Sequence, residues 1–280
     1  MVAVPSTLGS LLPFLPGRPV VVLSDTTAQG RQARLRAQMI ANDLGVRLDL
    51  VPADAGPTRL SERSAHAALL VLPYRSGNAL AECFLGTPPE RAARALAIPT
   101  LAVARPAGGA YRRVLVPVKL DEGAAFLIDT ARVVAAEARI RVLHVLDRRP
   151  ESSLWLADAP ELDIRAQRRR RASMARAALD REIAVAGAAS RGASMVAFGD
   201  VALRVLESAH TGRTELVVVG QRSRSLIDQL LAGSTTTRVV GAGASDVLVV
   251  PMRGRPDGTG MPTPSRHTAP PPLHPPASQS

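Results

Sequence analysis

Residues 214–251 read TELVVVGQRSRSLIDQLLAGSTTTRVVGAGASDVLVVP, and this stretch decides the fold that we expect for the chain. Its apolar runs at 216–219 and 247–250 are short and rich in valine, which is typical of strands buried on both faces of a parallel sheet. Gly220 ends the first run, Pro251 stops the second, and residues 236–242 between them follow a helical spacing. The predicted order is strand, glycine turn, long loop, helix and strand.

The loop between these two strands has the chemistry of a phosphate site. A loop that leaves a parallel strand and enters a helix presents unpaired backbone amides and the positive end of the helix dipole. Gly220 permits a close approach of the backbone, and Arg222 would supply a counter-charge. Further amides and hydroxyls would come from Ser223, Gly233, Ser234 and Thr235. The same residue types also fill solvated surface loops, so both interpretations stay open at this point.

The spacing of this loop resembles the G-2x-G-9x-G-(S/T) signature of the universal stress protein (UspA-like) family, with Gly220, Ser223 and Gly233-Ser234 at its positions. Two more parts of the sequence are similar to that family, the segment Gly199-Asp200-Val201-Ala202 and the predicted strands at 114–118 and 142–145. In the members of the family that bind ATP, this motif holds the phosphates of the nucleotide. The resemblance therefore implies ATP, alone or with Mg²⁺, as the ligand of this loop, with Ser223 in the place of the usual second glycine.

The resemblance also assigns the adenosine to the ends of two other predicted strands. Pro117, Val118 and Lys119 would face the adenosine, and Val145 would line the adenine with an apolar side chain. The nucleotide-binding relatives usually have Asp after the first strand, where this chain has Lys119. Lys119 would reach an anionic group, pair with Asp121 or be an ordinary surface lysine.

The chain contains a second, degenerate copy of the same unit. Pro73 and Gly86 are 13 residues apart, as are Gly220 and Gly233, and each pair lies between a predicted strand and a predicted helix. Pro73 lacks the N–H that a phosphate would need, so phosphate binding is not expected in this copy. The predicted organisation is an N-terminal extension at 1–17, a shortened UspA-like domain at 18–105, a complete one at 111–251 and a proline-rich, disordered tail at 252–280.

The predicted fold class is α/β, with two UspA-like (adenine-nucleotide alpha hydrolase-like) domains in tandem and helices on both faces of their parallel sheets. The first copy would lack one strand and one helix of the complete unit. By resemblance, the two copies would pair through their last strands, with residues 100–104 beside 247–250. Such an internal pair leaves open a further homodimer between two chains.

Composition bears on the compartment and on the class of partner. The net charge is +11, but the arginines are spread along predicted helices and aromatic residues make up only 2%, which argues against a nucleic acid partner. The four arginines at 168–171 would point around the whole circumference of a helix. The chain has one cysteine, no basic leader and no run of about 20 apolar residues, which predicts a cytoplasmic protein without a membrane segment.

Three functional hypotheses follow from these patterns. The first is a stress-response protein that binds ATP or a related adenine nucleotide in its C-terminal copy; with no catalytic residue or metal ligand set in the pattern, it would hydrolyse ATP weakly or not at all. The second is an interaction scaffold of the same fold that binds no nucleotide, which Ser223 and Lys119 favour. The third, an ATP-using enzyme, would need an acid or a metal site that the sequence does not display; His144 is interpreted as a core histidine.

Overall fold

The computed structural model describes residues 17–73, 98–120, 123–147, 160–220 and 245–252. Several predictions therefore lie outside the described residues. They concern the N-terminal segment at 1–16, the loop of the first copy at 74–97, the phosphate loop and its helix at 221–244, and the tail at 253–280.

The described residues form nine strands and five α-helices. The strands are β1 (Val20–Ser24), β2 (Leu48–Pro52), β3 (Leu69–Pro73), β4 (Thr100–Val103), β5 (Arg113–Pro117), β6 (Arg139–Leu146), β7 (Gly192–Phe198), β8 (Leu216–Gly220) and β9 (Asp246–Val250). The helices are α1 (Ala28–Leu44), α2 (Gly56–Ser64), α3 (Ala124–Val134), α4 (Glu161–Val185) and α5 (Val201–Thr211). None of the described helices has the length and apolarity needed to cross a membrane.

All nine strands belong to one sheet, in the order β2-β1-β3-β4-β9-β8-β5-β6-β7. Neighbouring strands are parallel except β4 and β9, which are antiparallel, with Thr100 opposite Val249 and Leu101 opposite Leu248. This confirms the predicted pairing of the two last strands. It divides the sheet into an N-terminal half (β1–β4) and a C-terminal half (β5–β9). The strands of the two halves run in opposite directions, so their carboxyl ends lie on opposite sides of the sheet.

The central strands are buried because helices cover both faces of the sheet. Every residue of β8 and β9 is buried, as the apolar runs at 216–219 and 247–250 predict. Apolar residues of α1, α3 and α4 pack on one face, and those of α2 and α5 pack on the other. The fold is therefore the α/β architecture that the sequence predicts.

The two described helices of the N-terminal half are stabilised in different ways. Thr27 caps α1, where its hydroxyl accepts a hydrogen bond from the Gly30 amide at 3.1 Å, and Gly45 ends the helix with a left-handed φ of 64°. The polar residues that follow β2 form α2 at Gly56–Ser64. Its composition is polar, but Leu60 packs against the apolar cluster of that face and holds the helix on the sheet.

A buried carboxylate fastens the two halves together beside the β4–β9 pair. Asp246, the first residue of β9, accepts hydrogen bonds at Oδ1 from the amides of Ala104 at 2.8 Å and Arg105 at 2.9 Å. Its Oδ2 accepts a bond of 2.5 Å from the Tyr111 hydroxyl. The chain that leaves β4 and the chain that enters β9 are thus bonded to the same carboxylate.

Arg36 of α1 brings a positive charge to this cluster. Its Nε lies 3.5 Å from Oδ2 of Asp246, and its guanidinium lies 4.1 Å from the centre of the Tyr111 ring. Arg36 also donates a hydrogen bond of 2.6 Å to the carbonyl of Gly109. Burial raises the pKa of Asp246, and burial together with the Asp246 charge raises the pKa of Tyr111 well above its usual range. The cluster is therefore a buried polar contact between the halves, in which Arg36 of the N-terminal half lies against Asp246 of the C-terminal half.

Candidate functional site

The carboxyl ends of β5, β6 and β8 lie side by side in the C-terminal half. β5 lies between the other two and is parallel to both, with Pro117 opposite Leu143 of β6 and Leu115 opposite Val217 of β8. Five of the residues predicted to bind nucleotide are described, and the topology brings them to this edge: Pro117, Val118, Lys119, Val145 and Gly220. The other five lie outside the described residues: Arg222, Ser223, Gly233, Ser234 and Thr235.

Val118 extends the ladder of β5 by one residue. Its amide donates a hydrogen bond of 2.9 Å to the carbonyl of Leu143, and its side chain is buried. Its carbonyl lies 3.0 Å from Nδ1 of His144. Because a carbonyl oxygen can only accept, Nδ1 carries the proton in this contact. His144 is half-buried, and this contact holds the backbone that leads into Lys119.

Lys119 and Val145 give this edge one charged and one apolar side chain. Lys119 is exposed and follows Val118 directly, whereas Val145 is half-buried and packs against the apolar cluster that also contains Leu115 and Leu143. Continued by two residues, the register of β5 and β6 sets Lys119 beside Val145. An aliphatic surface next to an exposed ammonium group suits a flat, weakly polar ring system that carries an anionic group.

Gly220 ends β8 against a close neighbour. A β-carbon built on it would lie 3.0 Å from Cγ and 3.2 Å from Sδ of Met252, and 3.4 Å from Cδ1 of Leu127 in α3. A side chain at this position would therefore need Met252 or Leu127 to shift by a few tenths of an ångström, whatever else approaches the backbone. Met252 was not identified from the sequence, although an apolar residue directly after the Pro251 stop could have drawn attention to it.

The described residues offer few ligands for a metal ion. Within the described ranges, no group of three or more His, Cys, Asp or Glu side chains is placed to hold one.

Comparisons with known proteins bear on the family of the chain. A family model described as the universal stress protein family matches residues 110–251. A search of curated proteins found no match. Similar solved structures include a universal stress protein from Archaeoglobus fulgidus, which is 10% identical over 85% of this chain and 98% of that one, with a TM-score of 0.49.

Two more solved structures are similar. A putative universal stress protein from Pseudomonas aeruginosa is 17% identical over 84% of this chain and 94% of that one, with a TM-score of 0.48. A universal stress protein in complex with cAMP is 22% identical over 51% of this chain and 98% of that one, with a TM-score of 0.32. The family match covers the whole C-terminal half, including the strands that form the candidate site, and amounts to more than half of the chain. The chain therefore belongs to the universal stress protein family.

Proposed function

We propose that this protein is a cytoplasmic stress-response factor that binds ATP or a related adenine nucleotide at the edge formed by β5, β6 and β8, with little or no hydrolysis. One observation carries the proposal. Three adjacent parallel strands end together, and the segment that leaves β5 is fixed against β6 by the bonds of Val118. Ligands of α/β sheets bind at such an edge, beyond the carboxyl ends of the strands.

Each part of the nucleotide would meet a different part of this edge. The adenine would lie on the aliphatic surface near Val145, and Lys119 would attract an anionic group. The phosphates would extend past Gly220 toward the amides and hydroxyls predicted for Ser223, Gly233, Ser234 and Thr235, with Arg222 as the counter-charge. ATP would bind alone or with Mg²⁺.

A second function is favoured by a specific contact. Met252 packs closely against Gly220, so this contact favours a residue without a β-carbon even if no phosphate approaches it. A UspA-like scaffold that binds other proteins and no nucleotide would have the same reason to keep a glycine. The alternative proposal is therefore an interaction scaffold of the same fold.

A ligand-binding experiment separates the two proposals. Mass spectrometry of the purified full chain would detect a co-purifying nucleotide, and calorimetry would measure the affinity for ATP. Gly233→Asp should abolish binding because it brings a carboxylate into the predicted phosphate loop. Gly86→Asp, at the matching position of the first copy, should leave the affinity unchanged. A wild-type chain that binds no adenine nucleotide would refute the first proposal and support the scaffold, whereas rapid ATP turnover would contradict both.

A further inference from the structure

The two edge strands of the sheet, β2 and β7, differ in how they are protected. Each has one strand neighbour in the described sheet. β2 carries Asp49, which pairs with Arg47 at 3.4 Å, and it ends in Pro52. Charges and prolines of this kind keep an edge strand from pairing with other chains. β7, with the sequence GASMVAF, has neither a charge nor a proline.

The open side of β7 can be deduced from its hydrogen bonds to β6. The Ile140 amide donates to the carbonyl of Arg191 at 2.9 Å, and the Gly199 amide donates to the carbonyl of Leu146 at 3.0 Å. In a parallel ladder alternate residues bond to the same neighbour, so the odd-numbered residues of β7 face β6. The backbone groups that face away from β6 are those of Gly192, Ser194, Val196 and Phe198.

The middle of this open side offers unpaired backbone groups. The carbonyl of Phe198 accepts a hydrogen bond of 3.0 Å from Nε of Arg204, so the end of the strand is bonded within the chain. Among the described residues, no hydrogen bond is found to the outward amides and carbonyls of Ser194 and Val196. These two residues present the donors and acceptors that an added strand would use.

Helix α4 covers one face of β7 with arginines. The guanidinium of Arg168 lies 4.4 Å from the centre of the Phe198 ring. Arg171 lies farther from that ring, at 5.9 Å, and donates a hydrogen bond of 2.8 Å to the carbonyl of Asp147, just past the end of β6. Arg171 is therefore on the side of α4 that faces β6, and Arg168 is on the side that faces β7. Rotation about the helix axis from Arg171 to Arg168 runs in the direction from β6 to β7.

The same direction, continued around α4, reaches a row of three arginines. At about 100° per residue, Arg165, Arg169 and Arg176 fall within about 40° of one another, beyond Arg168 and over the open side of β7. All three are exposed. Arg165 pairs with Glu161, whereas Arg169 and Arg176 have no ion-pair partner among the described residues. The four consecutive arginines at 168–171 do spread around the helix as expected. Arg165, Arg169 and Arg176, which are four and seven residues apart, lie on one side of it and form a basic stripe.

We propose that β7 and the basic stripe of α4 (Arg165, Arg169 and Arg176) form a docking site for an extended acidic peptide of a partner protein. The peptide would add as a strand along Ser194–Phe198 and bond to the free groups of Ser194 and Val196. Its acidic side chains would point toward the stripe. The alternate side chains would be small and apolar, because they would lie near the half-buried Met195 and Ala197.

Charge and chemistry favour this occupant over two others. A second copy of the chain, paired antiparallel through β7, would bring two α4 helices side by side on one face and set like charges together. A nucleic acid would use the arginines but not the strand groups, and the Phe198 ring on which a base could stack is already covered by Arg168.

One experiment tests both the charge of the peptide and the side of α4 on which it binds. The probe is a fluorescent peptide of alternating Glu and Val with the seven-residue length of β7. Fluorescence anisotropy with the full chain should show binding that weakens as salt is added. Arg169→Glu should weaken it about tenfold. Arg170→Glu, the neighbouring arginine that points away from the buried face, should change it less than twofold. Equal effects of the two variants, or equal binding of a Lys and Val peptide, would overturn the proposal.

The addition of a strand needs its own test. A peptide methylated on the alternate nitrogens that would face β7 should lose binding, whereas methylation of the other nitrogens should leave it intact. Equal binding of the two methylated peptides would overturn the proposal. A single-stranded oligonucleotide that displaces the peptide and binds more tightly than it would also overturn the proposal. A dimer of the chain that is lost in Val196→Pro, together with no binding of the peptide, would favour a second copy as the occupant and overturn it too. These outcomes do not depend on whether the protein binds a nucleotide.

Discussion

The hydroxyl of Tyr111 lies 2.5 Å from Oδ2 of Asp246, which links the segment between the two halves to the first residue of β9. Both side chains are buried, and Arg36 lies against both of them. The contact between the halves is therefore a charged, hydrogen-bonded network as well as an apolar surface. Such networks are costly to break because a partner is left buried and unsatisfied.

Tyr111→Phe should lower the free energy of unfolding by about 1–3 kcal/mol, since it removes a hydrogen bond to a buried carboxyl group and keeps the ring beside Arg36. Urea denaturation followed by circular dichroism would measure the loss. The same change in an Asp246→Ala background should cost much less, because the acceptor is already absent. An equal cost in both backgrounds would contradict the coupling.

Stability should fall at alkaline pH because of Tyr111. Its pKa is raised well above 10.0 in the folded chain, by burial and by the Asp246 charge, so the folded state keeps the proton that the unfolded chain releases. The contribution is fully present below a pH of about 10 and is lost as the pH rises through the folded pKa. In a Tyr74→Phe chain, where Tyr111 is the remaining tyrosine, phenolate absorbance should appear only as the protein unfolds. Titration at an ordinary pKa in the folded chain would refute this prediction.

Gly220→Ala should destabilise the chain by less than about 1 kcal/mol, because the added methyl group crowds Met252 but the flexible Met252 side chain can shift by a few tenths of an ångström. Met252→Ala in the same chain should restore part of the loss, which a double-mutant cycle of unfolding energies would show. Calorimetry on the double variant adds a test of the site. If the double variant binds ATP as tightly as the wild type, packing accounts for the glycine. If the double variant binds ATP more weakly than the wild type, a phosphate needs the space in front of residue 220.

His144→Ala should cost about 1 kcal/mol of stability through the lost hydrogen bond to the Val118 carbonyl. It should also weaken ATP binding severalfold, because the backbone that leads into Lys119 is then held less firmly. Calorimetry and denaturation on one preparation give both values. His66→Ala, at an exposed histidine of the N-terminal half, is the control and should alter neither.

Lys119→Ala should weaken the binding of ATP more than that of adenosine. Lys119 is exposed, so its interaction with an anionic group is screened and is expected to contribute about 0.2–1 kcal/mol, or up to about fivefold in affinity at low salt. Calorimetry with both ligands at two salt concentrations measures this difference. Equal losses for ATP and adenosine would mean that Lys119 acts on the adenosine and not on the phosphates.

Burial determines which strands the sequence could predict. β8 and β9 need apolar side chains on both faces, so runs such as 216–219 and 247–250 are hard to place anywhere but in a buried strand. The pairing of β4 with β9 came from the family resemblance, since no local pattern encodes which strand edges meet. α2 has no clear signature in the sequence, because its nine residues are mostly polar and the packing of Leu60 on the apolar cluster is a tertiary contact.

The polar network between the halves could not be predicted for a different reason. Asp246 follows a serine and precedes four apolar residues, so on sequence alone it is typical of a strand that begins at the surface. Its partners Ala104, Arg105 and Tyr111 are all more than 130 residues away in the chain. Likewise, the contact of Met252 with Gly220 joins two segments whose proximity depends on the β8–β9 register. Long-range contacts of this kind become visible only in three dimensions.

The antiparallel contact of β4 with β9 has a consequence for truncated forms. Cleavage between the halves, followed by separation of the pieces, would leave each with a bare, apolar terminal strand whose peptide groups had lost their partners. Such pieces would precipitate or self-associate through those strands. Loss of solubility would thus accompany any proteolytic nick that allowed the fragments to drift apart.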